Sequence, residues 1–178
     1  MPLSKSLSLL ALLALPLAAQ EPQFGVHGGF TLPAGDLGST LDHSFGLTVG
    51  GHMGFYYSGG HELRPRLELT RFDGGWHPVG DGHFSRSRVS SWTLGADYLY
   101  HTDMRPTGPY LLMGLGNSWW QNNTEGRPSA TQSSLSVSLG GGFRFDRHWA
   151  LEGRFTTGSF QDTAGQAHQL QAVASFRF

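Results

Sequence analysis

The feature that most constrains this chain is a two-residue rhythm of bulky and small side chains, repeated in eight segments after residue 20. In SLSVSLGGGFRF (134–145), Leu135, Val137, Leu139, Phe143 and Phe145 alternate with Ser134, Ser136, Ser138, Gly140, Gly142 and Arg144. Successive side chains of a β-strand point to opposite faces, so such a segment has one bulky apolar face and one small polar face. The same rhythm runs through 23–32, 43–57, 62–72, 88–101, 149–160 and 167–178. The segment PYLLMGLGNSWW (109–120) is ambiguous: Leu111, Met113 and Leu115 share one face, but Tyr110, Leu112 and Trp120 fall on the other. Helical periodicity is almost absent, so an all-β fold is expected.

The connections alternate in length. YSGGH, HTDMRPTG and DRH are compact turns, whereas PAGDLGSTLD (33–42), DGGWHPVGDGHFSR (73–86), QNNTEGRPSATQ (121–132) and the stretch around QDTAGQ are mostly longer and polar. Alternating short and long connections mark an antiparallel up-and-down barrel of the kind that crosses outer membranes. The expected fold is therefore an eight-stranded antiparallel transmembrane β-barrel over residues 21–178.

Side-chain size decides which face points inward. An eight-stranded barrel has an interior just wide enough for side chains to fill. The face rich in Gly, Ser and Thr fits that space, and the bulky face fits lipid. Segments of about ten residues match a hydrocarbon layer when tilted, and closure pairs every backbone donor and acceptor. Charged residues make up 14% of the chain and its formal net charge is -1. That balance gives no reason to expect a nucleic-acid partner. There is no cysteine, which excludes disulfides and thiolate metal sites. Residues 1–20 read as an export leader, with Lys5, an apolar core from Leu7 to Leu15, and Ala18 and Ala19 before the cut.

Aromatic residues gather toward strand ends, as interface girdles would. Tyr56, Tyr98, Tyr100 and Trp149 lie near the short-turn end, and Trp92, Trp119 and Trp120 near the long-loop end. Together with the closing segment VASFRF, these features resemble the small outer-membrane β-barrels of the outer-membrane protein A and X type. The resemblance implies that Leu170, Ala172, Ala174, Phe176 and Phe178 form a terminal signal read by the barrel-assembly machinery. It also implies an outer-membrane location in a diderm (Gram-negative) bacterium, contact with outer-membrane lipids, and long loops that meet an extracellular ligand.

The inward face carries Arg64, Arg66, Glu68, Asp97, Arg144, Glu152, Arg154 and Arg177. Charges in a narrow lumen must be paired, so a salt-bridge network closing the lumen is expected, in preference to a catalytic or ion-conducting cluster. His27 and His52 fall on the inward parity of neighbouring strands, and His77 and His83 share a long loop. With no close His pair or H-E-x-x-H motif, the histidines read as solvated or interfacial and no metal or other cofactor is expected. The clustered glycines Gly114, Gly116, Gly140, Gly141 and Gly142 lack a strand–loop–helix context for nucleotide binding, and read as room inside a tightly curved barrel.

The function expected is structural or surface-interactive, without catalysis, for a monomer. Two alternatives stand beside it. One is a lipid A-modifying barrel of deacylase type, using Ser85 and His83 with Asp81 or Glu62 orienting the imidazole; against it, a Gly-rich loop fixes no geometry for the pair. The other is a secreted soluble, lipocalin-like barrel, which requires the bulky residues to point inward.

Overall fold

A computed structural model describes residues 21–80, 83–124, 130–159 and 166–178, so the expected leader lies outside the described residues. Eight strands follow one another: β1 (Gln23–Ala34), β2 (Gly46–Tyr57), β3 (His61–Gly80), β4 (His83–His101), β5 (Gly108–Thr124), β6 (Ala130–Arg144), β7 (Trp149–Ser159) and β8 (Gln166–Arg177). Each pairs antiparallel with the next, and β8 returns to β1, with Phe30 opposite Ala172 and Leu32 opposite Leu170. The ladder is closed, so the backbone of the cylinder finds its partners within the protein and can sit in hydrocarbon.

The parity of the strands separates two environments. Phe30, Phe45 and Leu139 are 62%, 68% and 57% exposed, while Thr31, Thr48 and Ser138 on the opposite face are essentially buried. Bulky apolar groups therefore point away from the barrel axis, and small or charged groups crowd along it. Strand β5 follows the same rule. Leu111, Met113, Leu115 and Trp119 point outward, while Tyr110, Leu112, Gly114, Ser118 and Trp120 point inward. Its apolar residues fall on both faces because the lumen itself has apolar layers near its two ends.

Those layers are distinct. Leu99, Tyr110, Leu112 and Ala150 pack together near the short-turn end. Near the long-loop end, Phe72, Val89, Trp120 and Ala167 pack with Leu37 and Leu41. Leu37 belongs to the short helix α1 (Gly35–Thr40), and Leu41 is its C-terminal cap. This one-and-a-half-turn helix thus carries an apolar stopper into the outer mouth of the barrel.

The connections differ from expectation in one place. The stretch 73–86 was expected as a polar loop, but β3 and β4 continue as a paired ribbon to Gly80 and His83. Trp76 pairs with Arg86 and His77 with Ser85, beyond a register irregularity between Asp73 and Trp76. A two-stranded ribbon standing in water needs no apolar stripe, so its sequence lacks the alternation that marks the membrane portion. At the short-turn end, Gly59 and Gly60 have φ of 80° and 84°, the left-handed region that glycine enters without steric cost. Gly60 has a second constraint, because a Cβ there would lie 2.5 Å from the carbonyl oxygen of His101. The turn at 145–148 is held by Asp146, whose Oδ1 accepts from the backbone N–H of His148 and Trp149, both at 2.7 Å. Those two donors hold its carboxyl below the usual carboxylate range.

Candidate functional site in the barrel lumen

The lumen is built in layers from inward-facing positions. On β3, the even-numbered positions 62, 64, 66 and 68 place Glu62, Arg64, Arg66 and Glu68 along one wall. Asp97 on β4, and Glu152 and Arg154 on β7, complete the middle layer. Arg64 Nη2 donates to Asp97 Oδ2 at 3.0 Å and to Glu152 Oε2 at 2.7 Å. Arg66 Nε reaches Asp97 Oδ1 at 3.0 Å, and its Nη1 reaches Glu68 Oε2 at 3.2 Å. Arg154 bridges Glu68, Asp97 and Glu152 from the opposite wall, at 3.3, 3.3 and 2.5 Å. Every carboxylate here faces at least two guanidinium groups.

Small residues make this density attainable. A Cβ on Gly114 would lie 2.3 Å from Asp97 Oδ1, and one on Gly50 would lie 2.5 Å from the His27 ring. Of the glycines expected to leave room inside, Gly114, Gly116, Gly140 and Gly142 have the inward parity, while Gly141 faces outward opposite Gly153. Gln171 Nε2 supplies Glu68 Oε1 with a further donor at 2.8 Å, and the Tyr110 hydroxyl donates to Glu152 Oε2 at 3.0 Å.

A second ionic layer lies toward the short turns. Glu62 is fully buried and accepts from Arg144 Nη2 at 3.0 Å, from Arg177 Nη2, and pairs with His101 Nε2 at 3.0 Å. Arg144 was expected in a single network with the mid-lumen charges; it instead anchors this lower layer, with its guanidinium carbon 5.7 Å from the centre of the Tyr110 ring. Glu62, His101 and Tyr110 were not named as members. Glu62 was legible, since it shares the parity of Arg64 and Arg66 two residues away.

Above the ionic layers lies a shelf of hydroxyls. Thr31, Thr48 and Thr70 form a chain with links of 2.6 and 2.8 Å. Thr93 and Ser118 lie 2.8 Å apart, and Ser138 lies 3.0 Å from Thr156. The Trp120 indole N–H donates to Ser134 Oγ at 3.2 Å, joining the shelf to the apolar stopper. Between Arg66, Glu68, Thr93, Ser136 and Trp120 a cavity of ≈ 10 Å³ remains, about the room needed by one water.

Trp92, Trp119, Trp149 and Tyr98 lie outward, and Tyr100 is half-buried. Trp120 and Tyr56 do not belong to a lipid girdle. Trp120 is buried in the stopper, and Tyr56 turns its ring edge to His101, 5.7 Å away, and donates to the Met104 carbonyl at 3.0 Å. On β8, Leu170, Ala172 and Ala174 point outward, and Phe176 meets Trp149 and Phe178 edge to face at 4.9 and 5.7 Å.

The histidine expectation is corrected at three positions. His27, His52 and His101 are buried in the lumen, not solvated or interfacial. His27 and His52 approach through their Nδ1 atoms at 3.4 Å, and His27 Nε2 lies 3.4 Å from Glu68 Oε2. Among the described residues no three His, Asp or Glu side chains converge as a metal site would require. The side chains of His77, His83 and Ser85, and Asp81 altogether, lie outside the described residues, although the backbone pairs His77 with Ser85. Glu62 does not serve His83. It pairs with Leu99 on β4, and at about 3.3 Å per residue His83 lies about 50 Å farther along that strand.

Residues 6–178 match the family described as the outer membrane protein beta-barrel domain. The chain belongs to the outer membrane protein beta-barrel family. It is an outer-membrane protein of the small eight-stranded kind, and its outward apolar face contacts membrane lipid. The fold is similar to that of Ail, the attachment invasion locus protein of Yersinia pestis, in a crystal structure with the heparin analogue sucrose octasulfate. That match has a TM-score of 0.62 at 13% identity and covers 89% of this chain and 99% of that one. It is also similar to Neisserial surface protein A (TM-score 0.60, 14% identity, 88% and 97% covered). The N-terminal barrel domain of Pseudomonas aeruginosa OprF gives a TM-score of 0.54 at 13% identity, with 89% and 100% covered. No curated protein matches by sequence. In barrels of this family the short turns face the periplasm and the longer loops the exterior, which puts the α1 stopper and the β3–β4 ribbon on the outer side.

Proposed function

We propose that the protein is a non-enzymatic barrel with a closed lumen, whose role lies in surface interaction through its outer loops and the β3–β4 ribbon. The observation that carries this reading is the filling of the lumen through its middle, between the two mouths. Two ionic layers, a hydroxyl shelf and two apolar layers leave a single-water cavity among the described residues of the middle. A solute path would need the paired charges to separate inside a low-dielectric cylinder, at several kcal/mol for each ion left unpaired. What varies freely in such a molecule is the surface carried above the membrane.

Ail's complex with a heparin analogue raises the question of a polyanion partner. The described outer end of this chain does not favour one, because Arg71 and Arg88 both lie against Asp73, at 3.5 and 3.1 Å. The lipid-deacylase reading has lost Glu62 as an orienting acid. A closed ladder offers no free strand edge within the membrane, which supports a monomer. We further propose that residues 1–20 are removed on export and that the outward stripe ending at Phe178 is read by the barrel-assembly machinery.

Planar bilayers test the reading most directly. The reconstituted protein should give no stable ion conductance, and lipid A deacylation should stay at background with and without Ser85→Ala. A stable conductance, or a deacylation that Ser85→Ala abolishes, defeats the reading.

A further inference from the structure

We infer a binding site for a phosphate-type anion at the periplasmic mouth of the barrel, formed by Gln23, Arg144 and Arg147 around a cavity that the lumen network does not fill. The cavity has a volume of ≈ 250 Å³ and is lined by these three residues and Pro106. Its walls contain no carboxylate. The Pro106 carbonyl oxygen already accepts from Arg144 Nη1 at 2.9 Å. Gln23 Oε1 accepts from Arg177 Nη1 at 3.0 Å, so the amide of Gln23 has its N–H donors still to offer.

Arg144 is the deepest member, with its side chain 2% exposed. Its Nη1 and Nη2 are engaged, but its Nε is buried and has no hydrogen-bond partner. Arg147 stands exposed in the β6–β7 turn, and no carboxylate among the described residues pairs with it. The adjacent Asp146 spends its Oδ1 on two backbone donors of the turn. The lining therefore presents donors in excess of acceptors.

Charge balance points the same way. The buried residues of the lumen include five arginines, Arg64, Arg66, Arg144, Arg154 and Arg177, against four carboxylates, Glu62, Glu68, Asp97 and Glu152. The shortage falls at this end, where Arg144 and Arg177 share Glu62. A buried guanidinium without a full complement of acceptors is costly. The Nε–H of Arg144 and the forked N–H donors of Arg147 match the oxygens of a phosphate group better than a point cation would. Such a group reaches this position either as a free periplasmic phosphate or as the headgroup phosphate of an inner-leaflet phospholipid.

The test uses the full barrel folded in an uncharged, phosphate-free detergent, with the Arg Nε–H resonances followed by NMR. Inorganic phosphate is titrated in one arm, and phosphatidylglycerol is added to the micelles in the other. The Arg144 Nε–H signal should move in a saturable way in at least one arm, and the arm that saturates names the source. Arg147→Ala changes an exposed residue outside the lumen network and should weaken the response by about tenfold; Gln23→Ala, which also removes an acceptor from Arg177, is the second variant. An unmoved Arg144 signal in both arms overturns the site, as does a response that both variants leave unchanged.

Discussion

Glu68 shows how much depends on single side chains in a lumen this narrow. It faces Arg66 and Arg154 and accepts from Gln171, with His27 at 3.4 Å. A buried ion pair contributes little net stability against a well-packed apolar substitute, but removing one partner leaves the other charge stranded. Glu68→Ala should therefore destabilise the folded barrel by about 3–5 kcal/mol. Glu68→Gln keeps an acceptor for each guanidinium and should cost less. Urea unfolding in lipid vesicles, followed by tryptophan fluorescence, measures both. Equal stability of Glu68→Ala and the parent would mean that the network carries no energetic burden. The residues of this network were readable from parity alone, because on β3 a charge recurs at every second position from 62 to 68. Which carboxylate meets which arginine was not readable, because the partners come from β4, β6, β7 and β8 at separations of up to 115 residues.

At the scale of elements, the sequence pattern works where a strand has lipid on one face and fails where it does not. β6 and β8 were legible because Leu, Val, Phe and Ala lie mostly on one parity and Ser, Gln and Arg on the other, with Ala167 and Val173 the inward apolar exceptions. β5 was ambiguous because its inward residues Leu112 and Trp120 belong to the two apolar layers of the lumen, and hydrophobicity does not distinguish a stopper from lipid. The outer ribbon of β3 and β4 was invisible for a different reason: the stretch 73–86 carries no two-residue alternation. The assignment of Trp120 to the stopper has a direct check. Variants retaining a single tryptophan, either Trp120 or Trp92, are reconstituted with lipids brominated along the acyl chains. Bromine quenches on contact, so Trp92, 51% exposed on the outer face, should lose its emission. Trp120, 5% exposed and bonded to Ser134, should keep it. Equal quenching would return Trp120 to the girdle and remove the stopper from the outer mouth.

For the molecule as a whole, one asymmetry accounts for its location: the cylinder has its greasy surface outside and its ions inside. The cost of reversing it at a single position is depth-dependent, which makes it measurable. Leu139 is 57% exposed near the middle of β6, between Val137 and the glycines 140–142. An arginine on the lipid face costs about 2–4 kcal/mol at the midplane and about 0–1 kcal/mol near the interface. Leu139→Arg should therefore destabilise the barrel by the larger amount. Ser133→Arg, on the same face of the same strand but near its outer end, opposite Trp119, should cost the smaller amount. The comparison holds strand, face and incoming residue constant; referring the Leu139→Arg value to Leu139→Ser makes serine the residue replaced at both depths, so that depth alone differs. Equilibrium unfolding in vesicles gives both values. Were the two substitutions equally tolerated, hydrocarbon would not surround β6 at Leu139, and the apolar exterior would have to be covered by something other than lipid.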